Sequence, residues 1–173
     1  GLEALAMRTQ LATADAGVIG PKAYDQLFSM HGITMIFLFV TPMLNGFGNF
    51  VVPLQIGARD MAFPRMNALS YWIYLASGVF MYSSFLFGTA PNDGWFNYTP
   101  LAEKAFTPGL NIDFYNLGLL FLTVSSTVGA TNFIVTIFKL RAPGMSLNRI
   151  PLFCWAMLAQ SFSLVFALPA LSA

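Results

Sequence analysis

The run FYNLGLLFLTVSSTVGATNFIVTIF, from Phe114 to Phe138, decides the fold class. It lies between Asp113 and Lys139 and holds no charged residue. As an α-helix rising 1.5 Å per residue it would reach about 37 Å, more than the roughly 30 Å of hydrocarbon in a bilayer. Three further apolar stretches, roughly 26–56, 69–90 and 151–173, have the length for the same crossing. The first contains Pro42, which should kink the helix or loosen one turn. Gly1 to about Ala12 reads as the last turns of an earlier helix, and Pro21, Pro100, Pro108 and Pro143 are expected in connections. The expected fold is all-α: a polytopic transmembrane helix bundle of about four spans plus the end of an earlier helix, forming a single, partial membrane domain over residues 1–173.

The composition of the whole chain agrees. Of 173 residues, 57% are hydrophobic and only 9% charged, against about 25% charged in an ordinary soluble domain. Eight Lys and Arg against seven Asp and Glu leave a net charge of +1, which excludes a nucleic-acid binder. The single cysteine excludes a disulfide scaffold and a thiolate metal cluster. The start at Gly1 and the apolar run through Ala173 suggest a piece of a longer membrane protein.

The charges sort by side. Connections around 57–68 and 139–150 carry Arg59, Arg65, Lys139, Arg141 and Arg149, opposed only by Asp60. Connections around 13–25 and 91–113 carry Asp15, Asp25, Asp93, Glu103 and Asp113 with Lys22 and Lys104. The positive-inside rule puts the first pair in the cytoplasm or its equivalent. Trp72, Trp95, Tyr98, Tyr115 and Trp155 near expected helix ends suit interfacial anchors.

Polar side chains within the spans are expensive in lipid and therefore informative. His31 is the only histidine. It reads either as a metal ligand, through one ring nitrogen with the other oriented by a hydrogen bond, or as a histidine bonded to a neighbouring helix. A lone histidine makes no site, so partner ligands would lie elsewhere. Asp60, between Arg59 and Arg65, reads either as a loop ion pair or as the mouth of a proton pathway. Asn49, Asn67, Ser70, Ser125, Ser126 and Asn132 lie in or at the ends of three helices. They can hold a file of water or simply hydrogen-bond between helices. His31 and Asn49 are 18 positions apart, roughly 27 Å of helix rise, hence near opposite membrane faces. That spacing suits an outer redox centre coupled to inward proton uptake.

Three runs carry a resemblance: His31-Gly32-Ile33-Thr34-Met35-Ile36-Phe37, Asn45-Gly46-Phe47-Gly48-Asn49-Phe50-Val51-Val52-Pro53-Leu54, and Gly57-Ala58-Arg59-Asp60-Met61-Ala62-Phe63-Pro64-Arg65-Met66-Asn67. With Ser125-Ser126, Gly129-Ala130-Thr131-Asn132-Phe133-Ile134, Pro151-Leu152-Phe153-Cys154-Trp155 and Leu168-Pro169-Ala170-Leu171, the chain resembles subunit I of haem–copper oxidases of the cytochrome c oxidase type. It would run from the end of that subunit's first helix through most of its fifth. The resemblance implies that His31 is an axial ligand of the low-spin haem, of haem A type. It implies that Asp60 heads a proton channel, with Asn49 and Asn67 at its constriction and Ser70, Ser125, Ser126 and Asn132 along its water file. Arg8, by an Arg-x-x-Leu run and its spacing from His31, is similar to the arginine that bonds the haem formyl group. Trp95 is similar to a tryptophan near the haem propionates. Between Pro42 and Gly48 the chain is one residue shorter than the mitochondrial pattern, and Arg59 stands where that pattern has proline, which suggests a bacterial enzyme in the inner (plasma) membrane.

The resemblance also implies a high-spin haem and copper whose ligands lie beyond this sequence, cytochrome c as electron donor, dioxygen as substrate, and oxidase subunits II and III as partners. A quinol oxidase shares the same helices. A proton-coupled membrane transporter using Asp60 and the Asn/Ser set is a reading from another class. It leaves His31 unexplained and predicts an inverted repeat that the sequence does not display.

Overall fold

A computed structural model describes residues 1–14 and 16–172; Asp15, placed above in an acidic connection, lies outside them. Every regular element among the described residues is helical. The elements are α1 (Leu2–Gln10), α2 (Pro21–Ile33), a π-helical stretch (Thr34–Val40), α3 (Thr41–Ile56), α4 (Pro64–Ser83), α5 (Asn111–Lys139), a 3₁₀ turn (Leu147–Arg149) and α6 (Leu152–Ser172).

Three of these are long and apolar enough to cross a membrane: Pro21–Ile56, Asn111–Lys139 and Leu152–Ser172. The sequence predicted a fourth over 69–90. Its counterpart, α4, has 20 residues but is less apolar, because Asn67, Ser70, Ser77, Tyr71, Tyr74 and Tyr82 interrupt its hydrophobic positions. It also ends earlier. Ser83 and Ser84 turn their hydroxyls onto the carbonyls of Phe80 and Met81, three residues back, and Gly88 takes φ +66 beyond them. Pro21 does not lie in a connection but opens α2 at its first turn, where the missing N–H costs nothing and the fixed φ helps. The loosening expected from Pro42 falls upstream of it. Pro42 gives no N–H to the Leu38 carbonyl, and the preceding residues, 34–40, take the wider i→i+5 winding.

The chain forms two compact units, Gly1–Val40 with Gly78–Gly118 and Thr41–Ser77 with Leu119–Ala173. In the first, α1 packs on α2 and the connection 84–110 is tied down by side chains reaching its backbone. Gln26 Nε2 and Asn111 Nδ2 both donate to the Ala90 carbonyl (3.2 and 2.6 Å). Ser29 Oγ accepts from Gly94 N at 2.8 Å, and Tyr115 donates to the Trp95 carbonyl at 3.0 Å. Asp93 is buried here and accepts from Thr107 Oγ1 at 3.2 Å. Burial pushes its carboxyl above the ordinary carboxylate range; the Thr107 bond opposes this, and the charge of Asp25 adds to it. Two of the acidic connections therefore meet.

In the second unit a core of Val52, Ile56, Phe133, Ile137, Cys154 and Met157 joins α3, α5 and α6. Gly48 makes this approach possible: a Cβ there would lie 2.5 Å from Met157 Cε and 2.8 Å from Phe133 Cζ. The two basic connections also meet. Ala142 N donates to the Ile56 carbonyl at 2.8 Å, and a cavity of about 470 Å³ is lined by Gly57–Met61 and Lys139–Pro143.

Candidate functional site: a polar-lined cavity and a half-buried histidine

The second unit holds a cavity of about 360 Å³. Asn49 from α3, Asn67 and Ser70 from α4, and Ser125 and Ser126 from α5 all line it. Five of the seven residues expected along a proton path are thus brought to one space. The spacing of the sequence explains how. Thr41, Asn45 and Asn49 lie four apart and share one face of α3; Ser125, Gly129 and Phe133 do the same on α5; Ser70 and Tyr74 follow on α4. Thr41, Asn45, Tyr71 and Tyr74 were not expected there. The period-four pattern through Thr41, Asn45 and Asn49 is the signal that would have found the first two.

Amides and hydroxyls from three helices contribute to the lining. Asn49 Oδ1 is buried and has no hydrogen-bond partner among the described residues. Burying such an acceptor unmet costs about 1–3 kcal/mol. Ser70 Oγ donates to the Asn67 carbonyl (2.8 Å) and Ser125 Oγ to the Ser70 carbonyl (2.6 Å). Each hydroxyl has used its one proton and still offers lone pairs. At liquid density the cavity has room for about twelve waters at ~30 Å³ each.

Asn132 and Asp60 do not line this cavity. Asn132 is fully buried and its amide grips the backbone of Phe63, accepting from its N–H at 2.9 Å and donating to its carbonyl at 3.2 Å. Thr136 Oγ1 accepts from Ala62 N beside it at 2.9 Å. The two residues fix the segment that joins Asp60 to the start of α4. Asp60 is exposed, its Oδ1 accepts from Met61 N at 2.7 Å, and it lines the cavity between the two basic connections. Among the described residues it forms no ion pair with Arg59 or Arg65, so the loop ion pair is not formed.

In the first unit His31 lies in the last turn of α2. Its Nδ1 is buried without a hydrogen-bond partner, and the nearest acid, Glu3 Oε2 of α1, is 3.7 Å away, too long for a hydrogen bond. Neither ring nitrogen makes a hydrogen bond among the described residues, and Nδ1 stands at ion-pair distance from Glu3. Trp95 lies against the neighbouring Gly32, where a Cβ would come within 2.8 Å of Trp95 Cβ. Arg8, in the last turn of α1, is exposed and makes no hydrogen bond or ion pair among the described residues. No three His, Cys, Asp or Glu side chains among the described residues come together as metal ligands.

Comparison with known proteins places the chain in a family. The model of the family described as cytochrome C and quinol oxidase polypeptide I matches residues 1–173. Cytochrome c oxidase subunit 1 of Thermostichus vulcanus is 48% identical over 100% of this chain and 31% of its own length. The putative cytochrome c oxidase subunit 1-beta of Streptomyces coelicolor is 47% identical over 100% of the chain and 30% of its own length. A heme-copper oxidase subunit I+III of Aeropyrum pernix is 42% identical over 99% and 21%. The chain spans about a third of the length of the first two. With its membrane-crossing helices and a family match from end to end, this integral membrane chain belongs to the cytochrome c and quinol oxidase polypeptide I family.

Proposed function

We propose that the chain contributes one low-spin haem ligand and the inner part of a proton-uptake path to a terminal respiratory oxidase that reduces dioxygen to water with electrons from cytochrome c. The observation that carries the reading is the convergence of Asn49, Asn67, Ser70, Ser125 and Ser126 on one cavity with an unmet buried acceptor. A packing role for these residues would leave no such space.

In this mechanism Asp60 collects protons at the inner face, where Arg59, Lys139 and Arg141 line the same cavity. Asn132 and Thr136 hold the following segment so that Asp60 keeps a fixed distance from α4. Waters bridge Asn49, Asn67 and the three serines, which orient them without trapping charge, since neither amide nor hydroxyl ionises at neutral pH. An imidazole whose nitrogens make no hydrogen bond fits a haem ligand. The haem, when bound, supplies one-electron transfer toward the dioxygen-reducing centre. His31 would hold its iron, with Trp95 and Arg8 at its periphery. A high-spin haem and copper, oxidase subunits II and III, and a bacterial inner-membrane location belong to the same proposal. A quinol donor in place of cytochrome c would use these residues identically.

The test is His31→Ala in the full-length subunit, expressed with its partner subunits. The low-spin haem absorption should disappear from reduced-minus-oxidised spectra. A normal low-spin signal would make His31 a packing residue.

A further inference from the structure

We propose that Glu3 is a positioning residue for the His31 imidazole, held in place by Tyr82 and Thr34, and that it strengthens His31 as an electron donor to the iron. This rests on the reading of His31 as a haem ligand.

Glu3 lies in the first turn of α1 among Leu2, Ala4, Leu5 and Ala6, with its side chain only 19% exposed. A carboxylate in that setting is costly unless each oxygen has a partner. Oε1 has one: Tyr82 donates to it at 3.2 Å. Tyr82 has a single proton, and it goes to Glu3. The 2.6 Å contact between Tyr82 and Thr34 Oγ1 is therefore a bond that Thr34 donates. Thr34 stands one turn beyond His31, at the start of the π-helical stretch. Two side chains from two other helical elements, Tyr82 of α4 and Thr34 of the π-helical stretch, thus fix where the carboxylate sits.

Its second oxygen faces His31 Nδ1 at 3.7 Å, and that nitrogen is the buried atom with no partner. Each lacks what the other offers. A shift of about 0.8 Å closes a charge-assisted hydrogen bond of ordinary length. It places the ring proton on Nδ1 and leaves the Nε2 lone pair for a metal, the arrangement that orients metal-bound histidines and raises their basicity. A more basic axial ligand favours the oxidised iron, so Glu3 lowers the midpoint potential of the haem. Stabilisation of the N-terminus of α1 by a negative charge explains a glutamate in the first turn. It does not explain why Tyr82 and Thr34 aim one oxygen at His31.

The experiment uses the assembled full-length oxidase with Glu3→Gln, Glu3→Leu and Tyr82→Phe, read by redox titration of the low-spin haem and by its ferric electron paramagnetic resonance. The midpoint potential should rise in all three, most in Glu3→Leu and least in Tyr82→Phe. The largest g value should move with it while the haem is retained. An unchanged potential and g value in Glu3→Gln, with or without a lowered melting temperature, overturn the proposal and leave Glu3 as a helix-end charge. If Glu3→Gln does not assemble, Tyr82→Phe decides alone, and an unchanged potential in it is equally fatal. His31→Ala in parallel separates the two readings: a retained low-spin signal there refutes the ligand assignment itself, whereas its loss beside an unmoved potential in the Glu3 and Tyr82 variants refutes only the positioning role.

Discussion

Gly129→Leu should close the proposed proton path without unfolding the protein. Gly129 is buried on α5 and lines the polar cavity, yet a Cβ at that position would have no heavy atom within 4 Å. The side chain therefore enters open space rather than a neighbour. Its four carbons displace roughly four of the dozen or so waters for which the 360 Å³ has room, at ~30 Å³ each. Helix propensity favours the change by about 0.8–1 kcal/mol, since glycine is a poor helix former. Against that, the amides and hydroxyls that line the cavity lose water partners, a cost of about 1–3 kcal/mol. The melting temperature should stay within a few degrees of wild type. The rate should not: a penalty of that size at one point of a water file slows proton transfer by roughly five- to a hundredfold, at ~1.4 kcal/mol per decade. The assay is proton uptake by the assembled oxidase in vesicles with a pH indicator, beside haem spectra to show that the centres are intact. A Gly129→Leu enzyme with normal spectra and wild-type uptake would refute the water-filled cavity.

Two further outcomes follow from the fold. Asn132→Leu removes both bonds to Phe63 and leaves its N–H unmet, while its carbonyl keeps the bond from Asn67 N at 3.0 Å, so stability should fall by about 1–3 kcal/mol in a detergent melt; an unchanged melt would mean that the segment after Asp60 is held elsewhere. Asp93 has a folded-state pKa raised above its unfolded value, so its protonated form is favoured by folding and its contribution to stability grows as pH falls through the interval between the two. Asp93→Asn should therefore be more stable than wild type above that interval and equal to it below, and a pH-independent difference between the two melts would contradict the burial argument.

What the sequence displayed and what it hid have physical causes. The long apolar runs announced the spans of α5 and α6 nearly to the residue, because an uncharged stretch of that length in lipid can only be helix. α4 was blurred because its amides, serines and tyrosines serve a cavity and so weaken its hydrophobic signal. The π-helical stretch was not legible, since proline marks a disturbed turn but not how far upstream the winding adapts. Asn49, Asn67 and the serines could be picked out as uncharged polar residues inside spans. That Asn132 points at Phe63 instead is a matter of rotation about one helix, which residue type does not encode. Glu3 looked like an ordinary first-turn acid. Only the fold brings Tyr82, 79 positions away, to bond one of its oxygens.

The central claim is that this chain takes up protons through Asp60 and the cavity beyond it. The direct measurement is the rate of proton uptake by the assembled oxidase carrying Asp60→Asn, which keeps the size of the side chain and its bond to Met61 N but removes the ionisable group. Uptake should fall at least tenfold (~1.4 kcal/mol or more) with haem spectra unchanged. Uptake at the wild-type rate would contradict the account.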